Sequence, residues 1–344
     1  MPYKQIQCLG AGFFGEVWLE QDIGLDRLCA AKHLDATYFS KGSNVFAEAQ
    51  TMAAAGENDF VVTVYSAELE NGEPVIRMEY MPNGSVDDRH NGNPVPVDEA
   101  VRIMEDACRG ISHLHSQGIL HRDIKPANLL LADNGRVKVS DFGLACELAD
   151  AKNAPPRSYP MHLPPESASA GAGITAVAGD IYAAGVTAYR LLNGDQTLRA
   201  VIQSGADVRS LIVKGNYPNR KLWLPHVHSP LRRVVNRAMH IDPSKRYADA
   251  GTFRRALEKA RPKVSWWPGT PGIGSGWEGT AVNGTATFRA VVEPSKKGFR
   301  FGVERRLYGR TWRRIARDSF EAASEFDAIA HAEVVLGRIA VAGS

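Results

Sequence analysis

The sequence predicts an α+β chain: a small β-rich unit carrying one helix, a hinge, a larger helical unit, and a compact βββα unit at the C-terminal end. Three observations predict it. Residues 4–80 alternate in strand fashion around a glycine-rich turn, with one stretch of helix formers between the strands. After the break at Met81-Pro82-Asn83-Gly84-Ser85, the apolar residues of Val97 to Gln117 recur at helical spacing. A Trp/Gly/Pro-rich stretch, residues 262–277, then precedes three more strand-like runs and a closing helix.

In order, strands are expected at Gln5 to Leu9, Gly15 to Leu19 and Leu28 to Leu34. The turn between the first two carries Gly10-Ala11-Gly12-Phe13-Phe14-Gly15-Glu16-Val17. This G-x-G-x-x-G spacing also suits a dinucleotide site, but that site needs a helix after the glycines, and the β-type run Glu16-Val17-Trp18-Leu19 follows instead. A strand-turn-strand flap whose glycines let backbone N–H groups approach phosphates fits better. Lys32 closes the third strand; as a lone strand lysine it suits an edge charge, and beside Ala30 and Ala31 it suits a cleft. Residues 43–55 form a helix on which Glu48 lies between apolar positions, as a surface charge or as a group leaning toward Lys32. Val61 to Tyr65 and Val75 to Tyr80 are two further strands around the turn Glu70-Asn71-Gly72-Glu73. The amphipathic helix from Val97 to Gln117 stops at Gly118. Next comes His121-Arg122-Asp123-Ile124-Lys125-Pro126-Ala127-Asn128, followed after a polar turn by Val137-Lys138-Val139-Ser140-Asp141-Phe142-Gly143. Two carboxylates, an amide and an ammonium group thus stand between short apolar runs, as a loop aiming polar groups into one cleft requires.

Composition narrows the function classes. With 44% hydrophobic and 23% charged residues the chain buries a full core, which excludes wholesale disorder. No apolar run reaches the roughly 18 residues of a membrane span, so no membrane partner is expected. The four cysteines, Cys8, Cys29, Cys108 and Cys146, form no C-x-x-C pair, which disfavours a zinc site or a disulfide framework and suits reduced thiols in a cytoplasmic protein. The net charge is only +3, but residues 263–344 hold 12 Lys+Arg against 8 Asp+Glu. The tail is the basic part.

Taken together, the motifs from about residue 4 to 260 resemble the eukaryotic-type (Hanks-type) Ser/Thr protein kinase family. The resemblance implies a bilobal protein-kinase fold over 1–261, with a small β-rich N-lobe (1–80) and a larger helical C-lobe (84–261), joined by the linker 262–277 to a basic βββα module over 278–344. It implies that Gly10, Ala11, Gly12, Phe13, Phe14, Gly15 and Val17 cover the ATP phosphates, and that Lys32, paired with Glu48, contacts them. Met78 is similar to the residue at the back of the adenine pocket, the Glu79 carbonyl and Met81 amide would hold the adenine edge, and Ala30 and Leu130 would sandwich the ring. Asp123 would orient the substrate hydroxyl, Lys125 would neutralise the γ-phosphoryl group, and Asn128 and Asp141 would hold Mg²⁺. Met52, Val64, His121 and Phe142 would form the apolar stack linking the lobes. Asp180 is similar to the residue that holds the catalytic-loop backbone, and Glu166 with Arg246 to a buried structural ion pair.

The implied function is an ATP- and Mg²⁺-dependent serine/threonine protein kinase acting on a protein substrate. The alternative is a pseudokinase-like ATP-binding interaction scaffold, which loss of Lys32, Glu48, Asp123, Asn128 or Asp141 would favour; all five are present. The sequence departs from the family between Gly143 and Pro164, where Ser158 and Tyr159 are the only hydroxyls. Ser158 is therefore the candidate phosphosite, with Arg122 as the residue to pair with it. His162 stands where the family usually has Tyr, as a packing substitution.

In the tail, Ala286 to Glu293, Phe299 to Leu307 and Trp312 to Ser319 are the expected strands, and Phe320 to Val341 is the helix, with Phe326, Ile329, Ala330, Val334 and Leu336 supplying most of its apolar stripe. Trp266 and Trp267 are expected to pack against a lobe. The module's arginines suit a solvated or protein-facing surface, an intramolecular contact, or, as the less favoured reading, nucleic acid. The module's task would be recruitment of a substrate or partner, or restraint of the kinase.

Overall fold

Alternation in the first residues becomes three antiparallel strands, β1 (Tyr3–Gly12), β2 (Gly15–Asp22) and β3 (Arg27–Leu34), in a computed structural model that describes residues 2–12, 15–34, 46–141, 146–147, 160–169, 176–269 and 275–343. With β4 (Val64–Glu70) and β5 (Glu73–Glu79) they form one sheet in the order β1-β2-β3-β5-β4. Gly15 is required by contact: at its φ of +139° a Cβ would lie 1.9 Å from the His33 carbonyl oxygen. Asn71 and Gly72, both at positive φ, make the two-residue turn of the β4–β5 hairpin. Helix α1 (Ala47–Ala55) lies on the face where Ala49 packs with Leu34 and Ile76.

One strand begins later than the alternation suggests and runs on to Glu70. Val61 and Val62 do not extend β4 but bond to Val139: Val62 donates to its carbonyl at 3.0 Å, and Val139 donates to Phe60 at 2.9 Å. Those backbone groups tie the small sheet to the helical lobe.

That lobe comprises α2 (Val86–His90), α3 (Val97–Ser116), the two-residue strand β6 (Ile119–Leu120) and the hairpin β7 (Leu129–Leu131) with β8 (Val137–Val139). It continues with β9 (Cys146–Glu147), which pairs with β6, then α4 (Pro165–Ala168) and α5 (Val177–Asn193). Helices α6 (Gln196–Gln203), α7 (Val208–Val213), α8 (Ser229–Ala238) and α9 (Ala250–Lys259) complete it. Central α3 buries Ala100, Ile103, Met104, Ala107, Ile111 and Leu114 and packs against α5, α9 and β8. Among the described residues no helix is long and apolar enough to cross a membrane.

The stretch expected as a linker does not connect two separate bodies. It supplies β10 (Val264–Pro268) and the start of β11 (Ser275–Ala281), which join β12 (Ala286–Ser295) and β13 (Gly298–Leu307) in an antiparallel sheet. The reason is packing. Trp266 is fully buried against Phe288 in the module's own core, lying over Gly279 opposite, where a Cβ would be 2.6 Å from its ring. The expected third tail strand shrinks to β14 (Arg313–Arg314), a 3₁₀ turn and then β15 (Phe320–Ala322), and both short strands pair with β13. Helix α10 (Glu325–Ala342) starts later than expected because Ser324 caps it, accepting from the Asp327 amide. Its buried stripe is Ala328, Ala332, Val335, Leu336 and Ile339, whereas Phe326 and Val334 are 80% and 68% exposed. The module sits on the base of the lobe. Asp98 N–H of α3 donates to Ser265 Oγ of β10 at 2.9 Å, and Arg232 of α8 pairs with Glu333 of α10.

Candidate active site

Sheet register sets the upper wall of the site. Val17, Lys32 and Ile76 lie opposite one another across β2, β3 and β5, and two residues along so do Leu19, Ala30 and Met78, placing both rows on one face. Lys32 points at the segment after β8, its Nζ 3.4 Å from Asp141 Oδ1. Ala30 and Met81 are buried, while Met78 and Leu130 are half-buried and pack on the main core. The Glu79 side chain is held by Lys138 Nζ at 2.8 and 2.9 Å. The side chains of Glu48 and Met52, and residues Phe13, Phe14, Phe142 and Ser158, lie outside the described residues.

The lower wall is the loop between β6 and β7. Buried Asp180, at the start of α5, accepts from the backbone N–H groups of His121 at 2.9 Å and Arg122 at 2.8 Å, and from His115 Nε2 at 2.8 Å. Burial by itself would raise this carboxyl's pKa; the hydrogen bond and charge of His115 and the Arg122 amide outweigh it and hold the group below its ordinary value. His121 donates from Nε2 to the Ser140 carbonyl at 3.0 Å and accepts the Asp123 N–H on Nδ1 at 3.2 Å. That double use fixes its tautomer. The Thr187 hydroxyl is shared between the Ala183 carbonyl of its own helix at 2.9 Å and the Ile124 carbonyl at 3.2 Å. The loop is therefore held by its backbone, and it tolerates left-handed conformations at Arg122 (φ 70°) and Asp141 (φ 62°), each costing about 1 kcal/mol.

On this frame the predicted polar groups meet. Asp123 is 5% exposed; its Oδ2 accepts from Lys125 Nζ at 2.6 Å and Asn128 Nδ2 at 3.0 Å. Its Oδ1 is buried and has no hydrogen-bond partner among the described residues. Asn128 spends its amide nitrogen on Asp123, also donating to the backbone carbonyl at 2.8 Å, so its amide oxygen remains the acceptor. The Ser140 N–H donates to the Asn128 carbonyl at 2.9 Å where β7 and β8 begin to pair, and that brings Asp141 beside Asn128. Two hard oxygen donors side by side fit Mg²⁺, which takes one or two protein ligands and completes its shell with water and phosphate.

Away from the reacting groups, Arg246 is fully buried and binds Glu166 through two bonds of 2.8 and 2.7 Å, besides the Ala178 and His240 carbonyls at 2.7 Å. Burial first, then the charges of Arg190 and Lys125, push the His162 pKa down, so this residue stays neutral and serves packing. Sequence reading missed His115, Ser140 and Thr187. Each acts through a backbone or second-carboxylate contact, and the only local sign was a polar residue beside an apolar stripe.

The description "protein kinase domain" fits the family model that matches residues 3–259. Among curated proteins, serine/threonine-protein kinase PrkC of Bacillus subtilis is 30% identical over 264 residues, covering 75% of this chain and 40% of that protein. Serine/threonine-protein kinase PknB of Mycolicibacterium smegmatis is 33% identical over 269 residues, 74% of this chain and 42% of that protein. The chain thus spans less than half the length of these relatives.

Proposed function

Because the chain belongs to the protein kinase family, we propose that it is an ATP- and Mg²⁺-dependent serine/threonine kinase transferring the γ-phosphoryl group to a hydroxyl of a protein substrate. The observation that carries this reading is Asp123: one carboxylate oxygen is clamped by Lys125 and Asn128, and the other is buried without a partner among the described residues. A buried acceptor costs free energy unless a donor reaches it, and a Ser or Thr hydroxyl supplies that donor. Clamping the first oxygen aims the second, so the hydroxyl is oriented for in-line attack by position and electrostatics. Lys125 Nζ, held on Asp123, stands next to where charge collects on the transferred group. Lys32 holds a phosphate oxygen from above, and Ala30, Met78, Met81 and Leu130 enclose the adenine. Asn128 and Asp141 would hold Mg²⁺, which supplies neutralisation of the phosphate charge. The C-terminal module, fixed to the base of the lobe, would act by recruitment of a substrate or partner.

The test is transfer of labelled γ-phosphate from ATP with Mg²⁺ to the protein itself or to a basic test protein, with Asp123→Ala as control. Transfer by the wild type and a loss of at least about 100-fold in the variant are expected. Equal transfer by both would remove Asp123 from the mechanism, and ATP binding without any transfer would turn the reading into an interaction scaffold.

A further inference from the structure

The module's arginines fall into two sets. Arg289 pairs with Glu304 and Arg300 with Glu293 across β12 and β13, and Arg317 and Arg338 both pair with Asp318. Those arginines are paired with carboxylates inside the module. Arg305, Arg306, Arg310, Arg313 and Arg314 have no carboxylate partner among the described residues, and residues 305–317 contain no Asp or Glu. Arg314 Nε instead donates to Ser319 Oγ at 3.1 Å and Arg306 Nε to Thr287 Oγ1 at 3.4 Å, contacts that orient the guanidinium groups and leave their charge in place. Arg305 and Arg313 stand directly opposite in the β13–β14 register, a like-charge pairing that works against the isolated sheet.

Aromatic groups share this end. Tyr308, in the turn closed by Gly309, is 94% exposed, and the guanidinium groups of Arg289 and Arg306 lie 4.6 and 4.8 Å from the Trp312 ring. Every cation from 298 to 314 is arginine. Planar guanidinium forks match phosphate oxygens two at a time, and an uncovered phenol ring stacks on a base. An acidic peptide would meet the charge but leave Tyr308 unused. A base inside a duplex offers no free face.

We propose that the β13–β14 end of the module binds single-stranded nucleic acid, with Arg305, Arg306, Arg310, Arg313 and Arg314 on phosphates and Tyr308 on a base. The experiment uses the full chain and fluorescence anisotropy of labelled single-stranded RNA and DNA of about 20 nucleotides, at about 50 and 200 mM KCl. If all five arginines meet phosphates, the slope of log K against log salt is about −3.5, a loss of roughly 100-fold between those conditions. Arg305→Ala with Arg313→Ala makes the slope shallower by about 1.4, and Tyr308→Ala weakens binding about 10-fold at unchanged slope. Melting no lower than that of the wild type and unchanged phosphotransfer in these variants show that the fold is intact. Absence of oligonucleotide binding at low salt overturns the proposal. So does binding insensitive to Tyr308→Ala and abolished by stoichiometric heparin, which marks a general polyanion surface, or selective capture of an acidic peptide over the oligonucleotide.

Discussion

Replacing Asp180 by alanine tests whether the catalytic loop is held through its backbone. The carboxylate is 1% exposed and accepts three bonds of 2.8–2.9 Å, two from loop amides and one from His115. Each buried donor left without an acceptor costs about 1–3 kcal/mol, so a stability loss of about 3–5 kcal/mol is expected from urea unfolding. The same loss frees the backbone at His121 and Arg122, the two residues before Asp123. A misplacement of about 1 Å at the acceptor oxygen lowers kcat roughly 100-fold, with a much smaller change in the KM for ATP, because Lys32, Ala30 and Met78 stand on the sheet. The pH dependence gives an independent sign. The folded pKa of Asp180 lies below the unfolded value of about 3.9, so its stabilisation is fully present above that value and is lost as pH falls through the folded pKa. The stability difference between wild type and variant must therefore shrink in strong acid. A variant that keeps wild-type kcat while losing stability, or a difference constant down to pH of about 2, would refute the reasoning.

Two further outcomes follow from buried charge and buried imidazole. Glu166→Ala leaves the Arg246 guanidinium buried without an anion and should cost about 3–5 kcal/mol in denaturant unfolding, whereas Glu166→Met with Arg246→Met together should cost less than either single change; a double variant worse than both singles would contradict this. His226 is fully buried, and burial, helped by the charge of Arg232, pushes its pKa down to about 3. Its folded pKa is depressed, so stability is full above about 6.5 and falls as pH drops toward the folded value, by about 2 kcal/mol at pH of about 5. His226→Phe should flatten that part of the stability profile; an unchanged profile counts against the assignment.

The site was legible in the sequence to the extent that its chemistry is local. Asp123, Lys125 and Asn128 lie within six residues, and a loop that short brings them together once its ends are fixed by β6 and β7. Asp141 was legible because the β7–β8 hairpin returns the chain to Asn128. His115 was not, since nothing nearby in the chain announces that a helix C-terminus will meet the first turn of a helix 65 residues on. The added module was legible, but its first strand, β10, was taken for a linker for a related reason. Tryptophan beside proline and glycine looks like punctuation, yet the Gly279 opposite Trp266 is what lets that ring lie flat on a strand, and the pairing is visible only in register. In α10 two apolar stripes compete at helical spacing, and the one with the smaller side chains, Ala328 and Ala332, packs closely on the sheet while Phe326 stays outside.

The placement of the module limits how it can act. Helix α3 carries both attachments: near its first turn Asp98 bonds Ser265 and Arg261, and in its last turn His115 bonds Asp180 beneath the catalytic loop. Seventeen residues separate these two positions, so at a rise of about 1.5 Å per residue the attachment points stand roughly 25 Å apart on one rigid rod. Chain connectivity adds a short tether, since β10 begins at Val264, a few residues after α9 ends at Lys259. Arg232 of α8 pairs with Glu333 of α10 and secures the same docking from another helix. The module is thus docked directly on the helical lobe. If the module contributes to phosphotransfer as proposed, it would do so through what it binds, and the arginines near the end of β13 that have no carboxylate partner among the described residues are the surface that the oligonucleotide measurement tests.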